Sequence, residues 1–132
     1  MFKGIDHVVI AVQDLEASIQ RYEAIYGVTA TERGEPPGAG FKNAYFRFGG
    51  ESYLELVSPT NDTGPVGRRV AASGEGVYLM AMAVDNLDSA LADLRAKGIR
   101  LIGDPGPGNP ARGQVFIHPQ ATGGVLTQLV QR

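Results

Sequence analysis

Val8-Val9-Ile10-Ala11-Val12-Gln13-Asp14-Leu15 and Met80-Ala81-Met82-Ala83-Val84-Asp85-Asn86-Leu87 follow one pattern. Each is a continuous apolar run, as in a strand buried on both faces, followed by a short polar residue suited to cap a helix. An acidic residue then falls in the first helical turn, Glu16 or Asp88, where it meets the positive end of the helix dipole. Leu15, Ile19 and Tyr22 match Leu87, Leu91 and Leu94, each pair differing by 72 (87−15, 91−19, 94−22). That spacing lays one apolar stripe along each helix. Gly27 and Gly98 stand where a left-handed stop is needed.

The repeat continues beyond the helices. Ala44 to Phe48, Gly49-Gly50 and Glu51 to Val57 read as a hairpin, and Gln114 to His118 with Val125 to Val130 read as its counterpart. Leu54-Glu55-Leu56-Val57 aligns with Thr127-Gln128-Leu129-Val130 at an offset of 73 (127−54). Each half is a strand, a helix and about three strands. Ser58 to Gly76, rich in breakers and with a short helix around Val66 to Ala72, reads as the linker. Two further breaker-rich stretches, Gly34 to Gly40 and Gly103 to Gly113, occupy equivalent places between helix and hairpin, as connections or as lids.

Composition excludes several classes of function. Twelve basic against fourteen acidic residues give a net charge of −2, which leaves no surplus to neutralise a phosphate backbone, so nucleic acid is not an expected partner. The absence of cysteine removes thiolate nucleophiles, disulfides and cysteine-ligated metals. No apolar run approaches the ~18 residues of a membrane span, and the first residues do not read as a signal peptide. A soluble, cytoplasmic protein is expected. Neither G-x-G-x-x-G nor G-x-x-x-x-G-K-[ST] occurs. The Arg68-Arg69 pair reads as solvated or as a contact for an anionic substrate tail.

Ile5-Asp6-His7-Val8-Val9-Ile10-Ala11-Val12, the Asp14-Leu15-Glu16 helix start, Tyr53-Leu54-Glu55-Leu56-Val57-Ser58-Pro59, and the ending His118-Pro119 with Gly123-Gly124-Val125-Leu126-Thr127-Gln128-Leu129 carry a family resemblance. Together they resemble the vicinal oxygen chelate superfamily of glyoxalases, bleomycin-resistance proteins and extradiol dioxygenases. Within it, the chain most resembles methylmalonyl-CoA epimerases and glyoxalase-I-like proteins. The resemblance implies an α+β fold of two tandem βαβββ modules forming a curved, mostly antiparallel sheet around a cleft. Residues 1–132 would form a single domain, with module one at about 3–57, the linker at 58–76 and module two at about 77–131.

The resemblance also implies one divalent metal, with ligand positions here occupied by His7, Glu55, Leu79 and Gln128. His7 offers an imidazole nitrogen, Glu55 a carboxylate and Gln128 an amide oxygen, whereas Leu79 offers no donor. Zinc, cobalt, nickel or manganese would suit such a set, and a metal-free cleft is the alternative. The carboxylates expected from epimerases fall at Gln128 and near Gly38, neither of them acidic; Glu35 is three residues from Gly38. Glu55 and His118 are the candidate catalytic residues, and Leu79, Tyr45 and Tyr53 the candidate substrate contacts. Extradiol dioxygenase chemistry, which needs two histidines and a carboxylate, has only His7 in place. The expected function is metal-assisted isomerisation or lysis of a small carbonyl or acyl-CoA substrate through an enediolate-like intermediate. The alternative is ligand sequestration of the bleomycin-resistance type. A homodimer is implied by the family and not by these residues.

Overall fold

The computed structural model describes all 132 residues. Eight strands and three helices follow in the order β1 (Phe2–Ala11), α1 (Leu15–Tyr26), β2 (Glu32–Gly34), β3 (Phe41–Arg47), β4 (Tyr53–Pro59), α2 (Pro65–Ser73), β5 (Gly76–Val84), α3 (Leu87–Ala96), β6 (Leu101–Ile102), β7 (Val115–Ile117) and β8 (Thr127–Gln131). The βαβββ repeat read from the sequence is therefore present twice, with α2 between the copies.

The helix boundaries follow from their caps. Asp14 accepts the Ala17 N–H at 3.0 Å and Asn86 accepts the Ser89 N–H at 2.9 Å, so both repeats begin their helix with a side-chain cap. Gly27 adopts φ 69° and donates its N–H to Glu23, which ends α1 in the left-handed conformation.

Contacts divide the chain into two compact units. One is His7–Tyr78; the other joins Met1–Asp6 to Leu79–Arg132. In the first unit the strands run β2-β3-β4-β1, with β1 parallel to β4 and the other neighbours antiparallel. In the second, β5-β8-β7-β6 repeats that plan, with β5 parallel to β8. The linker segment goes with the first half, and the first six residues go with the second. The cause is polar: Arg132 donates to Asp6 at 2.8 and 3.0 Å, Lys3 donates to the Arg132 carbonyl at 3.1 Å, and the amino group of Met1 meets Asp85 at 2.8 Å.

Each unit buries its own core. In the first, Leu15, Ile19 and Val12 pack on Ala44, Phe46 and Leu56. In the second, Leu91 and Leu94 pack on Val115, Ile117 and Leu129. The helical stripes predicted from the sequence supply the buried face in both. The apolar strand runs are less completely buried than expected. Burial along β5 alternates, and Val77 is 61% exposed at its start, because only its C-terminal half is closely covered.

Candidate functional site

Strand register decides which side chains share a face. His7 stands opposite Tyr53 and Val9 opposite Glu55 across the parallel pair; Tyr45 stands opposite Glu55 and Arg47 opposite Tyr53 across the antiparallel pair. The intervening residues Ala44, Phe46, Leu54 and Leu56 belong to the core under α1. Alternation along each strand therefore sends His7, Tyr53, Glu55, Asn43, Tyr45 and Arg47 to the side that α1 does not cover.

These residues interact. His7 Nε2 lies 3.6 Å from Glu55 Oε1, within ion-pair reach and too far for a hydrogen bond. Asn43 Nδ2 donates to Glu55 Oε2 at 3.1 Å. The imidazole of His7 stacks on Tyr53 with ring centroids 4.6 Å apart and planes 12° apart. Tyr45 packs on Tyr53 at 4.9 Å, and the Arg47 guanidinium sits 4.5 Å from the Tyr53 ring centre while its nitrogens bond Glu32 at 2.6 and 3.3 Å.

His7 is 5% and Glu55 9% exposed. A glutamate on a half-exposed strand would ordinarily face water, so this burial needs an explanation. Burial pushes the Glu55 carboxyl above its ordinary value, against smaller downward pulls from the Asn43 hydrogen bond and from His7.

Of the residues singled out in the sequence, the structure brings His7, Glu55, Tyr45 and Tyr53 together. Leu79, Gln128 and His118 belong to the other unit. There Leu79 is buried on β5, and Gln128 stands on β8 opposite Phe116 and Ala81. His118 accepts the Gln120 N–H on Nδ1 at 3.0 Å and so caps the short turn Pro119–Ala121. Sequence reading missed Asn43 and Arg47. Both were within reach of it, since each is two residues from Tyr45 on one strand and so shares its face.

The donor set bears on a metal. No three His, Cys, Asp or Glu side chains come together. The His7 nitrogen and the Glu55 oxygen are nevertheless buried, adjacent and chemically suited to one divalent ion, and the raised carboxyl is short of a cation. The pair fits as a two-donor chelate.

Comparison with known proteins places the chain in a family. Residues 5–121 match the family model of the Glyoxalase-like domain. The chain belongs to the glyoxalase-like family of the vicinal oxygen chelate superfamily.

Its relatives include proteins named as acyl-CoA epimerases and others named as lactoylglutathione lyases. This glyoxalase-like chain is 31% identical over 129 residues to mitochondrial methylmalonyl-CoA epimerase of Homo sapiens, covering 96% of this chain and 73% of that protein. It is 26% identical over 134 residues to an ethylmalonyl-CoA/methylmalonyl-CoA epimerase of Cereibacter sphaeroides, covering 99% of both. A Streptomyces coelicolor methylmalonyl-CoA epimerase variant, solved in complex with 2-nitronate-propionyl-CoA, superposes with a TM-score of 0.87 at 35% identity, covering 99% of this chain and 98% of that one. These matches confirm the α+β fold class expected from the repeat.

Proposed function

We propose that this chain is an isomerase of the acyl-CoA epimerase type, removing and returning a proton at the carbon beside a thioester carbonyl. The observation that carries this reading is the buried His7–Glu55 pair on the side of the sheet that α1 leaves uncovered. The relatives named as epimerases supply the substrate class.

His7 through Nε2 and Glu55 through Oε1 would hold a divalent metal. When bound, that metal supplies Lewis-acid polarisation of the substrate carbonyl. The chain's own groups do the positioning. Tyr53 fixes the plane of the His7 ring by stacking, and Asn43 anchors Oε2 of Glu55 so that Oε1 stays toward His7. Tyr45, half-buried beside Tyr53, offers an aromatic surface against which an acyl group can pack.

Proton transfer beside a carbonyl needs a carboxylate basic enough to accept the proton. In the metal-free protein burial moves Glu55 in that direction, and a metal held on Oε1 would oppose it. Epimerisation also needs a group that returns the proton. Glu35, in the same unit as His7 and Glu55, is the candidate for that group. A lyase would share the first step. Sequestration without chemistry is not favoured, because the matched relatives are epimerases and glyoxalases.

The test is solvent deuterium exchange. Methylmalonyl-CoA incubated with the protein and manganese or cobalt in heavy water should gain deuterium at its α-carbon, and Glu55→Gln should slow this by about 100-fold or more. Wild-type protein that exchanges no proton with any divalent metal would end this reading.

A further inference from the structure

Four residues, one on each of β2, β3, β4 and β1, form a row across the sheet of the unit His7–Tyr78. Glu32 on β2 accepts two hydrogen bonds from Arg47 on β3, at 2.6 and 3.3 Å. The Arg47 guanidinium lies 4.5 Å from the ring centre of Tyr53 on β4. Tyr53 in turn stacks on the His7 imidazole of β1 with the two planes 12° apart. Strands β3 and β1 flank β4, and both Arg47 and His7 stand opposite Tyr53 in the register. The tyrosine ring therefore meets a cation from one neighbouring strand and an imidazole from the other.

The two ends of the row differ. His7 is buried, whereas the Arg47 and Glu32 side chains are 41% and 49% exposed. An exposed ion pair adds little to stability, so the clasp does not account for the fold. It does fix a direction. The guanidinium is planar, and with Nε and Nη2 both held on Glu32 it cannot swing freely into solvent.

We propose that Arg47, clasped by Glu32, is a positioning residue for His7: it holds the Tyr53 ring against the imidazole and so keeps Nε2 turned toward Glu55. Its consequence for metal affinity rests on the proposed His7–Glu55 chelate; its consequence for the imidazole does not. Charge alone predicts the opposite effect on a metal. Removing a cation from the neighbourhood of a divalent ion relieves repulsion and tightens binding, whereas loosening the imidazole weakens it.

Two measurements on the whole protein test this, both at one alkaline pH. The chain has two histidines, and His118, in the other unit, serves as the internal reference. In the proton–carbon NMR spectrum of metal-free protein, with peaks assigned by His118→Gln, the Hε1 of His7 should be displaced by the Tyr53 ring current. Arg47→Met should lose much of that displacement and leave His118 unmoved. Tyr53→Leu should abolish it, and adding Arg47→Met to Tyr53→Leu should move His7 no further. In calorimetric titration with manganese or cobalt, Arg47→Met should bind about 2- to 5-fold more weakly, the size of an exposed cation–π contact. Arg47→Lys, which keeps a cation, should recover part of the loss, and Arg47→Met should melt close to wild type. A His7 signal unmoved in Arg47→Met, or tighter metal binding by that variant, overturns the proposal. Wild type that binds neither metal, with a His7 signal that still depends on Arg47, retires the chelate and supports the positioning of the imidazole.

Discussion

His7 Nε2 and Glu55 Oε1 face one another at 3.6 Å from the adjacent parallel strands β1 and β4. The groups that favour the ionised form of Glu55 are Asn43 and His7, and neither is a permanent cation. A metal ion would complete the arrangement. Chelator-treated wild type should therefore melt higher when manganese, cobalt, nickel or zinc is added, and His7→Ala and Glu55→Ala should each lose that rise.

The same carboxyl sets a pH dependence for the metal-free protein. Burial raises Glu55 above its ordinary 4.5, so the folded state holds its proton more tightly than the unfolded state. Its contribution is complete below the unfolded value and is lost as pH rises through the folded value. Glu55→Gln, which keeps an acceptor for Asn43, should raise the melting temperature of chelated protein at neutral pH by a few degrees (about 1 kcal/mol). The difference should fade as the pH falls below about 4.5. Melting curves of both proteins across pH 4–8 decide this.

Asn43 tests positioning apart from ligation. Asn43→Ala removes the N–H held by Glu55 Oε2 while leaving both donors in place. Metal affinity measured by titration calorimetry should fall by about 10- to 100-fold with little change in melting temperature. Unchanged affinity would show that the carboxylate needs no such anchor.

Asp104 gives a second, opposite pH signal. Hydrogen bonds from Arg95, joined by the Gly106 N–H, hold its carboxyl down to about 2 from an ordinary 3.8. A lowered value contributes stability that is present above the unfolded value and lost as pH falls through the folded one. Asp104→Asn should be less stable than wild type at neutral pH, by an amount that is constant above about pH 5 and vanishes near pH 2. Urea unfolding at several pH values reads it out.

Gly67 tests how α2 is seated. A Cβ at this position would lie 2.1 Å from the Asn61 carbonyl oxygen, which is backbone and cannot swing aside. Gly67→Ala should cost about 2 kcal/mol or more despite the higher helix propensity of alanine.

Much of this was legible in the chain itself. The stripes Leu15-Ile19-Tyr22 and Leu87-Leu91-Leu94 announced two equivalent helices because helical period is a local property. The caps at Asp14 and Asn86 were equally local. His7 and Glu55 were readable as neighbours only through the family resemblance, since their separation of 48 residues (55−7) carries no periodic signal. Asn43 lies two residues from Tyr45 but just outside the strand read as starting at Ala44, which in the structure begins at Phe41. The assignment of Met1–Asp6 to the second half depends on Asp6 meeting Arg132, a separation of 126 residues.

That last pairing has a consequence for biosynthesis. The segment His7–Tyr78 is continuous and can consolidate while the ribosome is still making the remainder. The other unit is stitched from both ends of the chain. Its first six residues leave the exit tunnel before the His7–Tyr78 segment, yet Arg132, which grips Asp6, is translated after that segment. Closing so long a loop is entropically slow, so the first half of β1 waits, half used, until Arg132 has emerged.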